Sequence, residues 1–265
     1  MKAYFQDKVI WITGASSGIG SELAKQLSSF GAKLILSARN EEKLNDLKSS
    51  LNNSDEHLVL PFDLGSFDNA EELVNTIYEK YGKLHILFNN GGLSQRGEAI
   101  DTGIEVDRKI MEINYFGNIK LCKALLPRFR EAKEGHFVVI SSIAGKFGFY
   151  WRSAYSASKH ALQGFYESVL LEEAKNNINV TLAYPGKINT PISESALNSS
   201  GEKHGEMDHN QESGMPVEVC VEKLLKAVTK KKKSVLIGNK EIWAVHIKRF
   251  SPRLFWKIIK KQSPV

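Results

Sequence analysis

Cysteine is nearly absent. Cys122 and Cys220 are the only two among 265 residues, and neither stands in a CxxC or metal-ligand spacing. That excludes a disulfide-stapled scaffold, and both thiols read as core packing in a reducing compartment. The seven histidines show no HExxH or paired spacing, so no metal site is expected. No apolar run approaches the roughly 18 residues that a membrane-spanning helix needs. The opening "MKAYFQDKVIWITGASSG" lacks a basic stretch followed by a long apolar core, and no cleavable leader is expected. Acidic residues are the scarcer sign, 30 against 36 Lys and Arg. A net charge of +6 is nonetheless too modest for a nucleic-acid partner and suits anionic small molecules or surfaces.

What the chain does have is alternation. Short aliphatic runs recur at 8–13 ("KVIWIT"), 33–38, 57–62, 84–89, 136–141, 179–184 and 234–238, separated by helix-length stretches at 18–30, 41–51, 67–81, 105–131 and 155–176. Strands that are almost continuously apolar belong in a parallel sheet covered on both faces. The right-handed crossover rule then gives an α/β fold, a doubly wound Rossmann-type sheet of about seven strands with helices on both faces, as a single domain over residues 1–240. Residues 190–216 are polar, glycine-dotted and without periodicity. They follow a strand on the edge where such sheets bind ligands, and are expected to form a substrate lid that orders on binding, the alternative being a solvated connector.

The first strand runs directly into "TGASSGIG". Glycines between a strand and a helix allow a tight turn and a close approach to an anion at the helix N-terminus. No GK[ST] follows, so this is not a Walker A loop. Gly14, Ser16, Ser17, Gly18, Ile19 and Gly20 are the candidate pyrophosphate cradle. The second strand ends at Ala38 and Arg39, where NAD-binding folds usually carry a carboxylate for the ribose hydroxyl. An arginine pairs instead with a 2′-phosphate, which favours NADPH over NADH. Asp63 after the third strand suits hydrogen-bonding an adenine amine, and Leu64 beside it is a further candidate for cofactor binding. Asn89, Asn90, Gly91 and Gly92 after the fourth bring backbone close to the adenosine ribose.

Tyr155 and Lys159 stand four residues apart in "YSASK" and so share a helix face. A phenol ordinarily loses its proton near pH 10, and a neighbouring ammonium is expected to make Tyr155 more acidic. Ser142 in "ISSIAG" lies at the carboxyl edge of the fifth strand, placed to polarise the carbonyl that Tyr155 protonates.

With these motifs together, "TGASSGIG", "NNGG", "MEINYFG", "ISSIAG", "YSASK" and "YPGKINT", the chain resembles the short-chain dehydrogenase/reductase superfamily over residues 6–240. The resemblance implies a catalytic tetrad of Asn114, Ser142, Tyr155 and Lys159, with Asn114 holding a water that relays protons toward Lys159. It implies that Pro185, Gly186, Ile188 and Thr190 contact the nicotinamide, that Tyr155 and Lys159 also touch the cofactor, and that Arg39 without an acidic neighbour marks NADP(H). "NNGG" departs from the family's NNAG; Gly92 for alanine removes a methyl, and little effect is expected. "RGEAIDTGIEVDRKIMEINYFGNIKLCKALLP" and "GMPVEVCVEKLLKAVTKKKK" are similar to the branch called dehydrogenase/reductase family members 7 and 7B. That branch is linked to carbonyl reduction of lipophilic substrates such as steroids, retinoids or acyl-dihydroxyacetone phosphate, and so to lipid metabolism. Several of its members carry an N-terminal membrane anchor, whereas this chain starts almost at its first strand.

Phe147, Phe149, Tyr150 and Trp151 lie between Ser142 and Tyr155. Four aromatics in five residues are expected to wall a large apolar pocket, with Phe149, Tyr150, Trp151 and Ser142 as substrate contacts. The basic surplus is concentrated late, in "KKKK" at 230–233 and "KRFSPRLFWKIIKK" at 248–261. Residues 241–265 are a basic amphipathic segment, suited to packing on the domain, on a partner subunit or on an anionic membrane. The resemblance also implies a homo-oligomer, dimer or tetramer, assembled through the helices containing 111–130 and 155–175. The expected protein is therefore a cytoplasmic or membrane-surface NADPH-dependent carbonyl reductase, reversible as an alcohol dehydrogenase. The alternative is an NADP(H)-binding sensor or scaffold without turnover.

Overall fold

The computed structural model describes residues 1–262. A one-turn helix α1 (Lys2–Phe5) leads into β1 (Val9–Thr13), α2 (Gly18–Ser29), β2 (Lys33–Ser37), α3 (Glu41–Ser50), β3 (Leu58–Val59), α4 (Ala70–Tyr81) and β4 (Ile86–Asn89). A two-residue strand β5 (Gln95–Arg96) precedes α5 (Ile104–Met111), which passes through a π turn at Glu112–Phe116 into α6 (Gly117–Ala132). Then come β6 (Gly135–Ile140), α7 (Ser153–Glu172) and β7 (Ile178–Pro185). The connection after β7 carries β8 (Leu197–Asn198) and α8 (His209–Glu212). α9 (Val217–Thr229), β9 (Ser234–Ile237), α10 (Trp243–Phe250) and α11 (Pro252–Ile259) follow.

Seven strands form one sheet in the order β3-β2-β1-β4-β6-β7-β9, every pair parallel. Because side chains alternate across a strand, the sheet sorts its apolar residues into two layers. Ile10, Ile12, Leu34, Leu36 and Phe88 face α2 and α9, where Leu23, Leu27, Val221 and Leu225 meet them. Trp11, Ile35, Leu87, Phe137 and Val139 face α4, α6 and α7, where Val74, Ile77, Leu125 and Tyr166 close the other layer. This is the doubly wound sheet expected from the alternation. Burying each large side chain contributes on the order of 1.5–3 kcal/mol.

Two elements differ from the sequence expectation. The third strand, expected at 57–62, forms a ladder only at Leu58–Val59. Beyond Val59 the edge continues as Leu60 N to Leu36 O and Phe62 N to Ala38 O, with Pro61 between them at a position whose N–H would face the open edge and not β2. The helix expected at 105–131 is interrupted by the π turn, which holds Asn114 fully buried. Among the described residues no helix is long and apolar enough to cross a membrane.

Candidate active site

The carboxyl ends of the strands open into a cavity of about 1230 Å³. Its first wall is the loop between β1 and α2. Gly14 turns the chain with φ +63°, a conformation that side chains disfavour. A Cβ on Gly20 would stand 2.1 Å from the Gly14 carbonyl oxygen, so the first turn of α2 lies directly on the loop. Ser16, Ser17, Gly18 and Ile19 face the cavity beside the positive end of α2, whereas Gly20 serves this packing and does not line it. Asn90 fixes the loop from below: its Nδ2 donates to Thr13 O (3.0 Å) and Gly14 O (3.2 Å). The Asn90 and Gly91 N–H groups both donate to Thr13 Oγ1. Asn89 turns away from the cavity and donates to the Tyr166 hydroxyl.

The glycine departure needs correcting. Letter by letter, the alanine of NNAG falls on Gly91 and not on Gly92. A methyl at Gly91 would meet Leu64 Cδ1 at 2.4 Å, so Leu64 already fills the space.

Farther along, Arg39 is exposed and lines the cavity, and no hydrogen bond or ion pair engages it among the described residues. Lys43, in the first turn of α3, lines the same end. Asn40 caps that helix by accepting from the Lys43 N–H at 2.8 Å. Asp63 also lines the cavity, with Oδ1 accepting from the Gly65 N–H. A glycine cradle, a positive helix end and two cations fit an anionic dinucleotide. On the far side Pro185, Gly186, Ile188 and Thr190 line the cavity where β7 ends, with Thr190 against Gly18.

Tyr155, Ser142 and Lys159 meet in the middle. Burial pushes the Tyr155 phenol above its ordinary range, while a hydrogen bond with Ser142 and the charges of Arg96 and Arg152 pull it back down. The Ser142 hydroxyl itself accepts from the Ala144 N–H at 3.1 Å and donates to Pro185 O at 3.4 Å. Lys159 Nζ donates to Ile140 O at 2.9 Å and stands 5.7 Å from the Tyr155 ring centroid. Its own burial lowers it to about 8. Arg96 and Arg152, which the YSASK motif did not announce, thus add positive charge on the phenol beside the expected Lys159. Asn114 lies next to this group, its side chain clamped on Leu93: Oδ1 accepts from the Leu93 N–H at 2.7 Å, and Nδ2 donates to Leu93 O and Ser158 Oγ.

Sequence reasoning missed Lys43, Arg96, Arg152 and Asp208, all of which line the cavity. Only Lys43 carried a local signal, one turn from Arg39. The aromatic wall is also redistributed. Phe149 lines the cavity together with Phe147, but Tyr150 and Trp151 lie outside its lining. Tyr150 is exposed and reaches Lys260 O, and Trp151 sits in a left-handed turn with φ +59°. Their places are taken by Trp243, Ala244, Ile247, Ile258 and Ile259 of α10 and α11. Phe255 and Ile259 anchor these helices on Phe147, at 5.1 Å between the Phe147 and Phe255 rings.

Comparison with known proteins agrees with this geometry. The family model for short chain dehydrogenase matches residues 8–200. The chain is 41% identical to mouse dehydrogenase/reductase SDR family member 7B over 99% of its own length and 83% of that protein's. It is 39% identical to the SDR family protein 7-like of Anopheles gambiae, over 98% and 84%. A short-chain dehydrogenase from Streptomyces avermitilis superposes with a TM-score of 0.83 at 27% identity, covering 97% of each chain. A Burkholderia phymatum member in complex with NAD shares the fold at the same TM-score and 22% identity, over 99% and 98%. The chain belongs to the short-chain dehydrogenase/reductase family of nicotinamide-dependent oxidoreductases, in the branch of the member 7 and 7B proteins.

Proposed function

We propose that the protein is a carbonyl reductase that takes NADPH and reduces a bulky, apolar ketone or aldehyde, running in reverse as an alcohol dehydrogenase. One observation carries this reading: a buried phenol, hydrogen-bonded to Ser142, shares a single cavity with the glycine loop, with Arg39 and Lys43 at one end and an apolar wall at the other. The nicotinamide, when bound, supplies the hydride for the carbonyl carbon. Ser142 donates a hydrogen bond to the carbonyl oxygen and holds it at the Tyr155 hydroxyl. Tyr155 gives its proton to that oxygen as the C–H bond forms, leaving an alcohol and a phenolate. Arg96 and Arg152 steady the phenolate until solvent returns the proton. Lys159, held on Ile140 O, orients the cofactor side of the same group. Arg39 and Lys43 favour a 2′-phosphate on the adenosine ribose through charge-assisted hydrogen bonds.

Phe147, Phe149, Ile247, Ile258 and Ile259 favour a large lipophilic substrate, as in lipid metabolism. The outer face of α10 and α11 supports a peripheral contact with an anionic lipid surface. Phe250, Leu254 and Trp256 are exposed there among Arg249, Arg253 and Lys257, with no acidic residue after Glu241. Co-sedimentation with phosphatidylserine vesicles, lost in a Phe250→Ser and Trp256→Ser double variant, tests that contact. The free, buried Cys122 and Cys220 accord with a cytoplasmic setting. Assembly through α6 and α7 into a homo-oligomer completes the proposal, with Leu171 on α7 exposed. The test of the activity is oxidation of NADPH, and of NADH in parallel, against carbonyls graded from small polar ketones to long-chain and steroidal ones. Rates that rise with apolarity and with NADPH support the reading. Silence across the series with tight NADPH binding leaves the sensor or scaffold reading.

A further inference from the structure

Arg96 and Arg152 converge on one carboxylate beside the active site. Arg96 donates through Nε to both Asp208 oxygens, at 3.1 and 2.9 Å, and through Nη2 to Oδ2. Arg152 donates to the same Oδ2 at 2.9 Å. The Arg96, Arg152 and Asp208 side chains are 3%, 12% and 1% exposed, so the trio is withdrawn from water.

Its members come from three parts of the chain: β5, the turn before α7, and the 190–216 connection. Residues 94–97 join all three. On one side they pair with β8 of the connection, and Leu197 N donates to Ser94 O at 3.0 Å. On the other, Gln95 Oε1 accepts from the N–H groups of Ala154 and Tyr155, and Gly97 N donates to Trp151 O. The seat of the 190–216 connection and the first turn of the helix that carries Tyr155 therefore rest on the same four residues.

Two guanidiniums and one carboxylate leave a net positive charge in a water-poor place next to the phenol. Replacing a buried ion cluster by apolar side chains of similar volume is often neutral or stabilising, so stability alone is a weak account of the trio. We propose that Asp208 is a positioning residue for proton transfer, a latch from the 190–216 connection that fixes Arg96 and Arg152 beside the Tyr155 hydroxyl and partly neutralises them. The inference rests on the reading of Tyr155 as the acid–base group. The groups acting on Tyr155 are Ser142 from the loop after β6, Arg96 from β5, Arg152 from the turn before α7, and Lys159 from α7, committed to Ile140 O; behind the arginines stand Asp208 and His204, whose Nε2 is 3.8 Å from Asp208 Oδ1.

Opposite displacements follow. In Asp208→Asn the guanidiniums act on the phenol unopposed, and Tyr155 releases its proton at lower pH. In Arg152→Met one guanidinium is lost while Asp208 stays, and release moves to higher pH. A purely structural role would move both variants the same way or neither. The measurement is an NMR titration of the full-length protein carrying ¹³C at tyrosine Cζ, with the Tyr155 signal identified by its loss in Tyr155→Phe. The expected displacements are about one pH unit each way. Shifts of equal sign, or none, overturn the proposal. Should Asp208→Asn fail to fold, Arg152→Met against Arg152→Lys decides alone: the midpoint rises in the first and returns to wild type in the second, and equal midpoints overturn the latch. The titration needs neither cofactor nor substrate. A protein that turns nothing over but shows opposed shifts would retain the latch and lose the proposed function.

Discussion

The two ends of the cavity are built differently. The end floored by β1 to β4 is made of backbone and small residues from two short loops, 14–20 and 90–91: Gly14 packs against Gly20 and Gly91, and Asn90 ties the two loops together. The end walled by residues 143–152, the 190–216 connection and α10–α11 is made of large side chains that meet only through tertiary packing. A ligand whose shape never varies can be met by close-fitting backbone, which leaves almost no freedom at each position. A variable substrate is met by exchangeable side chains on segments outside the sheet. Changes at the first end should therefore act on cofactor binding, and changes at the second on stability of the tail and on substrate choice.

The largest effect is expected from Gly20→Ala. Its methyl would stand 2.1 Å from a backbone oxygen, so loop and helix must part. Dinucleotide affinity should fall about 100-fold or more, equivalent to about 2.7 kcal/mol, as read by NADPH fluorescence titration. Retained affinity would break the comparison at its firmest point. Next is Phe147→Ala, which empties the socket of Phe255 and Ile259. A loss of about 3 kcal/mol is expected from denaturant unfolding, together with faster proteolysis within α10–α11 and unchanged NADPH affinity. Arg39→Glu should weaken NADPH binding by about 10- to 100-fold while leaving NADH within a few-fold, in line with the loss of one charged hydrogen bond. Equal losses for both cofactors would remove Arg39 from phosphate recognition.

The smallest effect concerns pH and stability. Burial lowers Lys159 to about 8 in the folded protein, against an ordinary value of 10.5. Between those values the unfolded chain holds a proton that the folded protein has released, so this group adds stability as pH rises from about 8 to 10.5. Below pH 8 both states are charged and the burial penalty is fully present. The Tm of wild type relative to Lys159→Met should therefore improve across that window. A flat difference would mean that the ammonium is better solvated than its burial implies.

Legibility follows the same division. The doubly wound sheet and the cofactor loop were readable because alternation and glycine spacing are local properties. Tyr155, Ser142, Lys159 and Asn114 were readable through motifs a few residues long. Arg96 and Asp208, 112 residues apart, had no such signal, since a buried ion pair is visible only once both partners are placed. Tyr150 and Trp151 were misplaced for a related reason. Their composition suggested a pocket wall, but the left-handed turn at Trp151 puts only Phe147 and Phe149 of that run along the cavity. The tail's amphipathicity was plain in the sequence; that its inner face anchors on Phe147 was not.

The central claim is that Tyr155 transfers the proton while taking little part in holding the cofactor. Its most direct test is Tyr155→Phe, followed by single-turnover NADPH oxidation with the best carbonyl of the graded series and by NADPH titration on the same sample. The account predicts a rate lowered by about 10²- to 10⁴-fold with NADPH affinity within about two-fold of wild type. A rate that survives the substitution, with cofactor equally well bound, would contradict it.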